Sequence, residues 1–151
     1  MKKIYLLLIS FCFLSFTNDN GNSFNIELKQ KIVLKVTRKN STEFEFTEIK
    51  REPFDKIIDI WNNNEALSRI EKKETIEFYF CQAQENEEEA TVLLINSRSK
   101  FSFQFDTEIQ KTDKSEFEKV PNVGTHRNSK TQESWAWKIK QIRISNFRLK
   151  K

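Results

Sequence analysis

The chain has 151 residues, enough for one domain and too few for two comfortable ones. Its formal net charge is +4, from 26 Lys and Arg against 22 Asp and Glu, a balance that neither demands nor excludes an acidic partner. With two glycines, one histidine and two cysteines, no phosphate-cradling Gly-rich loop, zinc-ligand spacing or disulfide framework can be written.

Met1, Lys2 and Lys3 precede an uncharged apolar run over 4–16, and the polar stretch 18–23 follows at once. Two bases ahead of a short apolar run form the n- and h-regions of a secretory signal. The run has 13 residues; a bilayer span needs roughly 20, so no stable membrane span is expected. A leader over 1–17 is therefore read, with cleavage near Thr17 and Asn18 and one β-rich domain over 18–151. The product would be exported, to the periplasm or the extracellular medium. The competing reading makes 4–16 a first strand or helix of the fold. Loss of 1–17 removes Lys2 and Lys3, taking the charge from +4 to +2. It also removes Cys12 and leaves Cys81 with no partner for an internal disulfide. Apolar burial must then hold the fold, and eleven of the 14 phenylalanines with all three tryptophans lie after residue 17. By composition alone, the Lys-, Asn-, Ile- and Phe-rich usage points to an AT-rich genome, and a bacterial source is expected.

From Phe24 to Val36 apolar residues take nearly every even position, the period of a strand with one buried face. That length calls for a bend near Gln30. Alternation resumes over 43–49. Phe54, Ile57, Ile58 and Trp61 then lie at i, i+3, i+4 and i+7, so the spacing predicts a short helix over 53–63, opened by Pro53. A second helical piece through Leu67 and Ile70 would follow. Strands are expected again at 75–82, 91–96 and 100–106, as an antiparallel meander whose middle strand is apolar on both faces. Residues 107–134 are polar and weakly patterned, with room for a strand around 117–123. The last run, 135–149, changes parity twice. It needs a bulge near Lys140 and Gln141 and a second irregularity at Ser145 and Asn146 to bury its apolar residues on one face; a helix through Trp135, Ile139 and Ile142 is the alternative. The fold class is mainly β: an antiparallel β-sandwich, or a sheet with the 53–63 helix packed on it.

No catalytic, cofactor or metal site is read from the sequence. His126 stands without a G-x-S-x-G partner and reads as a loop residue. Cys81 lies among Phe78, Tyr79 and Phe80 and reads as a buried, inert thiol. Glu85, Glu87, Glu88 and Glu89 lack the alternating ligands of a calcium loop and read as a solvated hairpin tip. A pair of carboxylates acting in hydrolysis is the third-ranked possibility. The candidate partner-binding residues are Trp61, Trp135, Trp137, Lys138, Lys140 and Arg143. From Lys130 to Lys151 seven bases face one acid, Glu133, giving +6. A basic strand suits an acidic partner, an anionic glycan or nucleic acid, and exposed tryptophans suit a sugar or a partner; the plainer reading is a solvated strand face with its tryptophans in the core. The expected function is non-catalytic binding. A protein partner comes first, in an inhibitor- or immunity-like role. A glycan held on exposed tryptophans comes second, and nucleic acid is disfavoured.

The leader makes one prediction. Edman sequencing of the protein recovered from the host's extracytoplasmic fraction should begin near Asn18. A product that still begins at Met1 would refute it.

Overall fold

The computed structural model describes residues 23–59, 61, 73–85 and 88–151. The leader, the helical piece through Leu67 and Ile70, the asparagines at 62–64 and Glu87 lie outside the described residues.

The 24–36 alternation is real, but it feeds two sheets. β1 (Phe24–Glu27) and β2 (Gln30–Arg38) are separated by a turn in which Lys29 adopts φ 69°. The break sits one residue before the expected bend, and it carries the chain from one layer to the other. β3 (Phe44–Pro53) pairs antiparallel with β2 and carries a bulge opposite Val33 and Leu34. β5 (Thr75–Glu85) and β6 (Glu88–Ser97) form a long hairpin with Glu85 opposite Glu88, as the acidic tip suggested. β9 (Lys130–Trp135) adds an edge to β6, giving the order β3-β2-β5-β6-β9. The second sheet runs β1-β10-β7-β8, from β7 (Phe103–Gln110), β8 (Glu118–Val120) and β10 (Gln141–Leu149). The architecture is thus a mainly β, antiparallel sandwich.

Parity explains the core. β5 sends Ile76, Phe78 and Phe80 inward, while Phe103, Phe105 and Ile109 of β7 face them from the other sheet. Each large side chain buried this way contributes ~1.5–3 kcal/mol of transfer free energy. Aromatic edges lock the layers: Phe78 meets Phe105 at 5.7 Å and 82°, and Phe46 stacks on Phe147 at 4.2 Å and 23°. Phe147 reaches the interior because the register of β10 against β7 slips between Ser145 and Arg148. Asn146 absorbs the slip at φ 53°, a left-handed conformation that asparagine tolerates better than most residues. The second irregularity expected at Ser145 and Asn146 is this bulge.

Three expectations are corrected. Over the described part of 53–63, residues 53–59 and 61, there is no helix. Phe54 and Ile58 are buried, but the chain between them is irregular and Ile58–Asp59 forms β4, which pairs parallel with β5 at Ala83 and Gln84. A spacing of four fits period two as well as 3.6, so only Ile57 and Trp61, at i+3 and i+7, could separate them; they are 67% and 83% exposed. The Phe54 N–H donates to the Lys29 carbonyl at 2.7 Å, and β4 takes the β5 edge beyond the end of β2, so sheet pairing replaces helical bonding. Second, the meander stops at β6, because β7 lies in the opposite sheet. Third, the 135–149 run is two strands in two sheets. Residues 136–140 cross between them, and no bulge is needed at Lys140 and Gln141.

That crossing meets the first one. The Leu28 N–H donates to the Lys140 carbonyl at 2.8 Å, and the Lys140 N–H to the Gln110 carbonyl at 3.0 Å. Thr91, 1% exposed on β6, donates its hydroxyl to the Trp137 carbonyl at 2.9 Å and accepts the Ile139 N–H at 3.0 Å. Thr91→Val keeps the volume and strands both backbone groups. It should cost about 2–3 kcal/mol, since an unsatisfied buried polar group costs about 1–3 kcal/mol. Urea unfolding is the measurement, and Thr91→Ser, which keeps the hydroxyl, should recover most of the loss. Equal losses in the two variants would mean that packing, not the hydroxyl, holds the crossing.

Candidate functional site

Each face of the sandwich has its own chemistry. On the outer face of the β1-β10-β7-β8 sheet the charges are paired. Asp106 on β7 accepts from Arg148 Nη2 at 2.9 Å, Asn146 Nδ2 at 3.1 Å and Lys119 Nζ at 3.1 Å. Those donors, Arg148 first, hold its carboxyl well below the usual carboxylate range. Arg143, opposite Glu108 in the ladder, reaches Glu108 at 3.3 Å and Asn25 Oδ1 at 3.3 Å. Its guanidinium lies 3.8 Å from the Phe117 ring centroid. Of the predicted basic residues, Arg143 is thus engaged within the sheet.

The outer face of the other sheet is buried in its middle, where Tyr79, Cys81, Val92 and Leu94 form a second apolar cluster with Phe54 and Ile58. Burial pushes the Cys81 thiol up to about 12, which suits the inert reading. Beside this cluster Lys31 pairs with Glu77 at 3.1 Å and Glu52 at 3.2 Å, its ammonium 4.7 Å from the Tyr79 ring centroid. The Tyr79 hydroxyl donates to Glu77. Burial pulls the Lys31 pKa down, but the Tyr79 and Glu77 oxygens outweigh it and hold the group above the ordinary lysine value. A charge network so well satisfied fixes register and offers nothing to a substrate.

Exposed chemistry gathers at the two ends. At one end the crossing loop carries Trp137, 47% exposed, and the exposed Lys138. Lys111, from the β7–β8 connection, lies over the Trp137 ring at 5.9 Å and pairs with Glu118 at 3.0 Å. Lys140 pairs with Asp113 of the same connection. The result is an indole ringed by lysines and two acids, on backbone held by Thr91. The other two tryptophans are elsewhere. Trp135 packs against the interior at the β9 edge, and Trp61 is 83% exposed in the segment after β4. Trp135 and Trp137 share a parity that on one strand would put them on one face, and the chain's departure from β9 after Trp135 separates them.

At the opposite end of the β1-β10-β7-β8 sheet the 100–102 turn, His126, Arg127 and the 149–150 segment enclose an open groove of about 490 Å³. Sequence reading missed this site, because its residues come from three segments that only the fold brings together. No carboxylate lines it, so a hydrolytic acid pair does not meet there. Among the described residues no three His, Cys, Asp or Glu side chains cluster closely enough to hold a metal ion, and no helix is long and apolar enough to cross a membrane. Comparison with known protein families, characterised proteins and solved structures returns no match.

β9 carries one carboxylate out of balance. Glu133 is half-buried on the inner side of β9, where it accepts the Val123 N–H at 2.5 Å. Burial raises its pKa above 4.5, against the lowering effect of that hydrogen bond. A raised folded-state value means that this group's stability is full below the unfolded pKa and is lost as pH rises through the folded value. Glu133→Gln keeps the acceptor and removes the charge. It should raise Tm by a few degrees near pH 7, and the gain should vanish near pH 3.5, where wild type is already protonated. A gain of equal size at both pH values would show that charge is not its cause.

Proposed function

We propose that this chain is a small, exported, non-catalytic binding protein, periplasmic or extracellular, that engages a protein partner through the Trp137 end in an inhibitor- or immunity-like role. One observation carries the reading: a half-exposed tryptophan sits on a loop whose backbone is fixed from beneath by a buried threonine. Aromatic anchors held rigidly lose little entropy on binding, and tryptophan is the residue most often found at the energetic centre of protein interfaces. Lys138 is exposed beside it, and Lys111 and Lys140 are held by Glu118 and Asp113, so the rim presents both signs of charge. A mixed rim suits selection of one partner by charge complementarity. A flat sugar needs an unobstructed indole face, and Lys111 covers one face of Trp137.

The test is site-specific photocrosslinking in the native host. A photoreactive residue at Trp137 should trap one protein in stoichiometric yield, and the same group at Ile49 on the β3 edge should not. Adding Lys138→Glu should cut the yield several-fold if charge steers the encounter. Equal adducts from both positions would defeat the proposal. Tryptophan fluorescence that responds to soluble polysaccharides and loses that response in Trp137→Ala would replace the protein partner with a glycan.

A further inference from the structure

The groove at the far end of the sheet has a different chemistry from the Trp137 surface and does not depend on it. By strand rise the two sites lie roughly 25–30 Å apart along β10. Three chain segments bring Lys100, Arg127 and Lys150 around one opening, with Phe101 and Leu149 as its apolar lining. Arg127 makes no side-chain ion pair with any described residue, and its side chain is exposed. Glu74 reaches Lys100 from outside the groove at 3.6 Å, a weak contact for an exposed lysine. The positive charge in the groove is therefore largely uncompensated by protein.

The groove is also built rather than merely basic. Lys150 is held at both ends of its residue: its N–H donates to the Ser102 carbonyl at 2.9 Å and its ammonium to the Val123 carbonyl at 2.6 Å. That ammonium stands 3.4 Å from His126 Nε2. A tethered lysine loses less side-chain entropy on meeting an anion than a swinging one. Ser102 Oγ accepts the Arg127 N–H at 3.0 Å, and this leaves the hydroxyl proton to donate outward. An arginine fork, a fixed ammonium and a hydroxyl donor around one opening make a donor set for tetrahedral oxyanions. Beneath them Gly124, at φ 71°, lets the 122–125 segment lie against β7; a Cβ there would stand 2.4 Å from the Phe103 carbonyl. The Thr125 hydroxyl accepts the Phe103 N–H at 3.0 Å, so the loop that presents His126 and Arg127 is anchored immediately before them.

We propose that this groove is an oxyanion-binding site that takes the phosphate or sulfate monoester group of a small ligand, with Arg127, Lys150, Lys100 and the Ser102 hydroxyl as donors and Phe101 and Leu149 against the ligand's body. The test is an amide-resolved NMR titration of the purified protein with inorganic phosphate and then sulfate, against chloride at equal ionic strength. Saturable shifts should concentrate at Ser102, Arg127 and Lys150 for both tetrahedral ions and be absent for chloride. Arg127→Ala, at an exposed position that the fold does not use, should weaken binding about tenfold, the loss of one charge-assisted pair. Ser102→Ala should weaken it less, and Lys114→Ala should leave it unchanged. Glucose phosphate and glucose sulfate then separate the two ester sources, and the one that binds more tightly than its bare ion names the class. Linear shifts, equal shifts with chloride, or wild-type affinity in Arg127→Ala would overturn the site.

Discussion

The structure depends on one corner. Among the described strands the chain changes sheet four times, from β1 to β2, β6 to β7, β8 to β9 and β9 to β10, and the first and last of these passages, at Leu28 and Lys29 and at 136–140, meet. The two passages are bonded to each other through the Leu28 N–H and the Lys140 carbonyl. A strand that leaves a sheet abandons its ladder hydrogen bonds, and near the core each lost bond must be replaced. Here the replacements come from the other crossing, from the Gln110 carbonyl and from Thr91. Ile139, fully buried, completes the corner by filling the interior between the layers. Because β1 and β10 are neighbours in one sheet while β2 and β9 lie in the other, this corner fixes how the layers are superposed. The same contacts hold Trp137 outward, so fold and candidate surface share one set of bonds.

Much of the sandwich was legible because its buried strands alternate cleanly. Ile76, Phe78 and Phe80, and Phe103 and Phe105, announce both period and facing. The apolar run at 91–95 reads as a central strand, and β6 does lie between β5 and β9 with both faces covered. Other elements were hidden for physical reasons. β9 reads Lys-Thr-Gln-Glu-Ser-Trp because an edge strand needs little apolar surface, and polar side chains there discourage pairing with other chains. β8 has three residues and no alternation, so the sequence offered only room for a strand around 117–123, and Glu118–Val120 lies within that room. The 53–63 segment misled because i and i+4 positions share a face in both periods. Sheet membership was invisible, since parity carries across the crossing at Leu28 and Lys29 as along a strand, and the change of parity at the 136–140 crossing reads equally as a bulge. Of the site residues, Trp137 and Lys138 could be named from local composition. The groove could not, because Lys100, Arg127 and Lys150 are scattered along the chain and each alone is an ordinary surface base.

These placements narrow where a partner can dock. A binding surface needs groups that are exposed and not already satisfied. The outer face of the β1-β10-β7-β8 sheet fails the second condition, since Asp106, Glu108, Arg143 and Arg148 spend their charge on one another. Taking Asp106 from its three donors to meet a ligand would forfeit the interactions that hold its carboxylate ionised. The middle of the other outer face fails the first, being closed over Tyr79 and Leu94. Among the described residues, the loops at the ends of the sandwich meet both conditions, and connections there can vary without disturbing either ladder. The two ends differ because different backbone supports them. The Trp137 end rests on a crossing between sheets and presents an aromatic anchor with charges of both signs. The groove end rests on the loop before β9, threaded past Gly124 and Thr125, and its lining carries cations and no carboxylate. Under the two proposals a protein partner would occupy the first end and a compact oxyanion the second, and their separation along β10 would keep the two from competing.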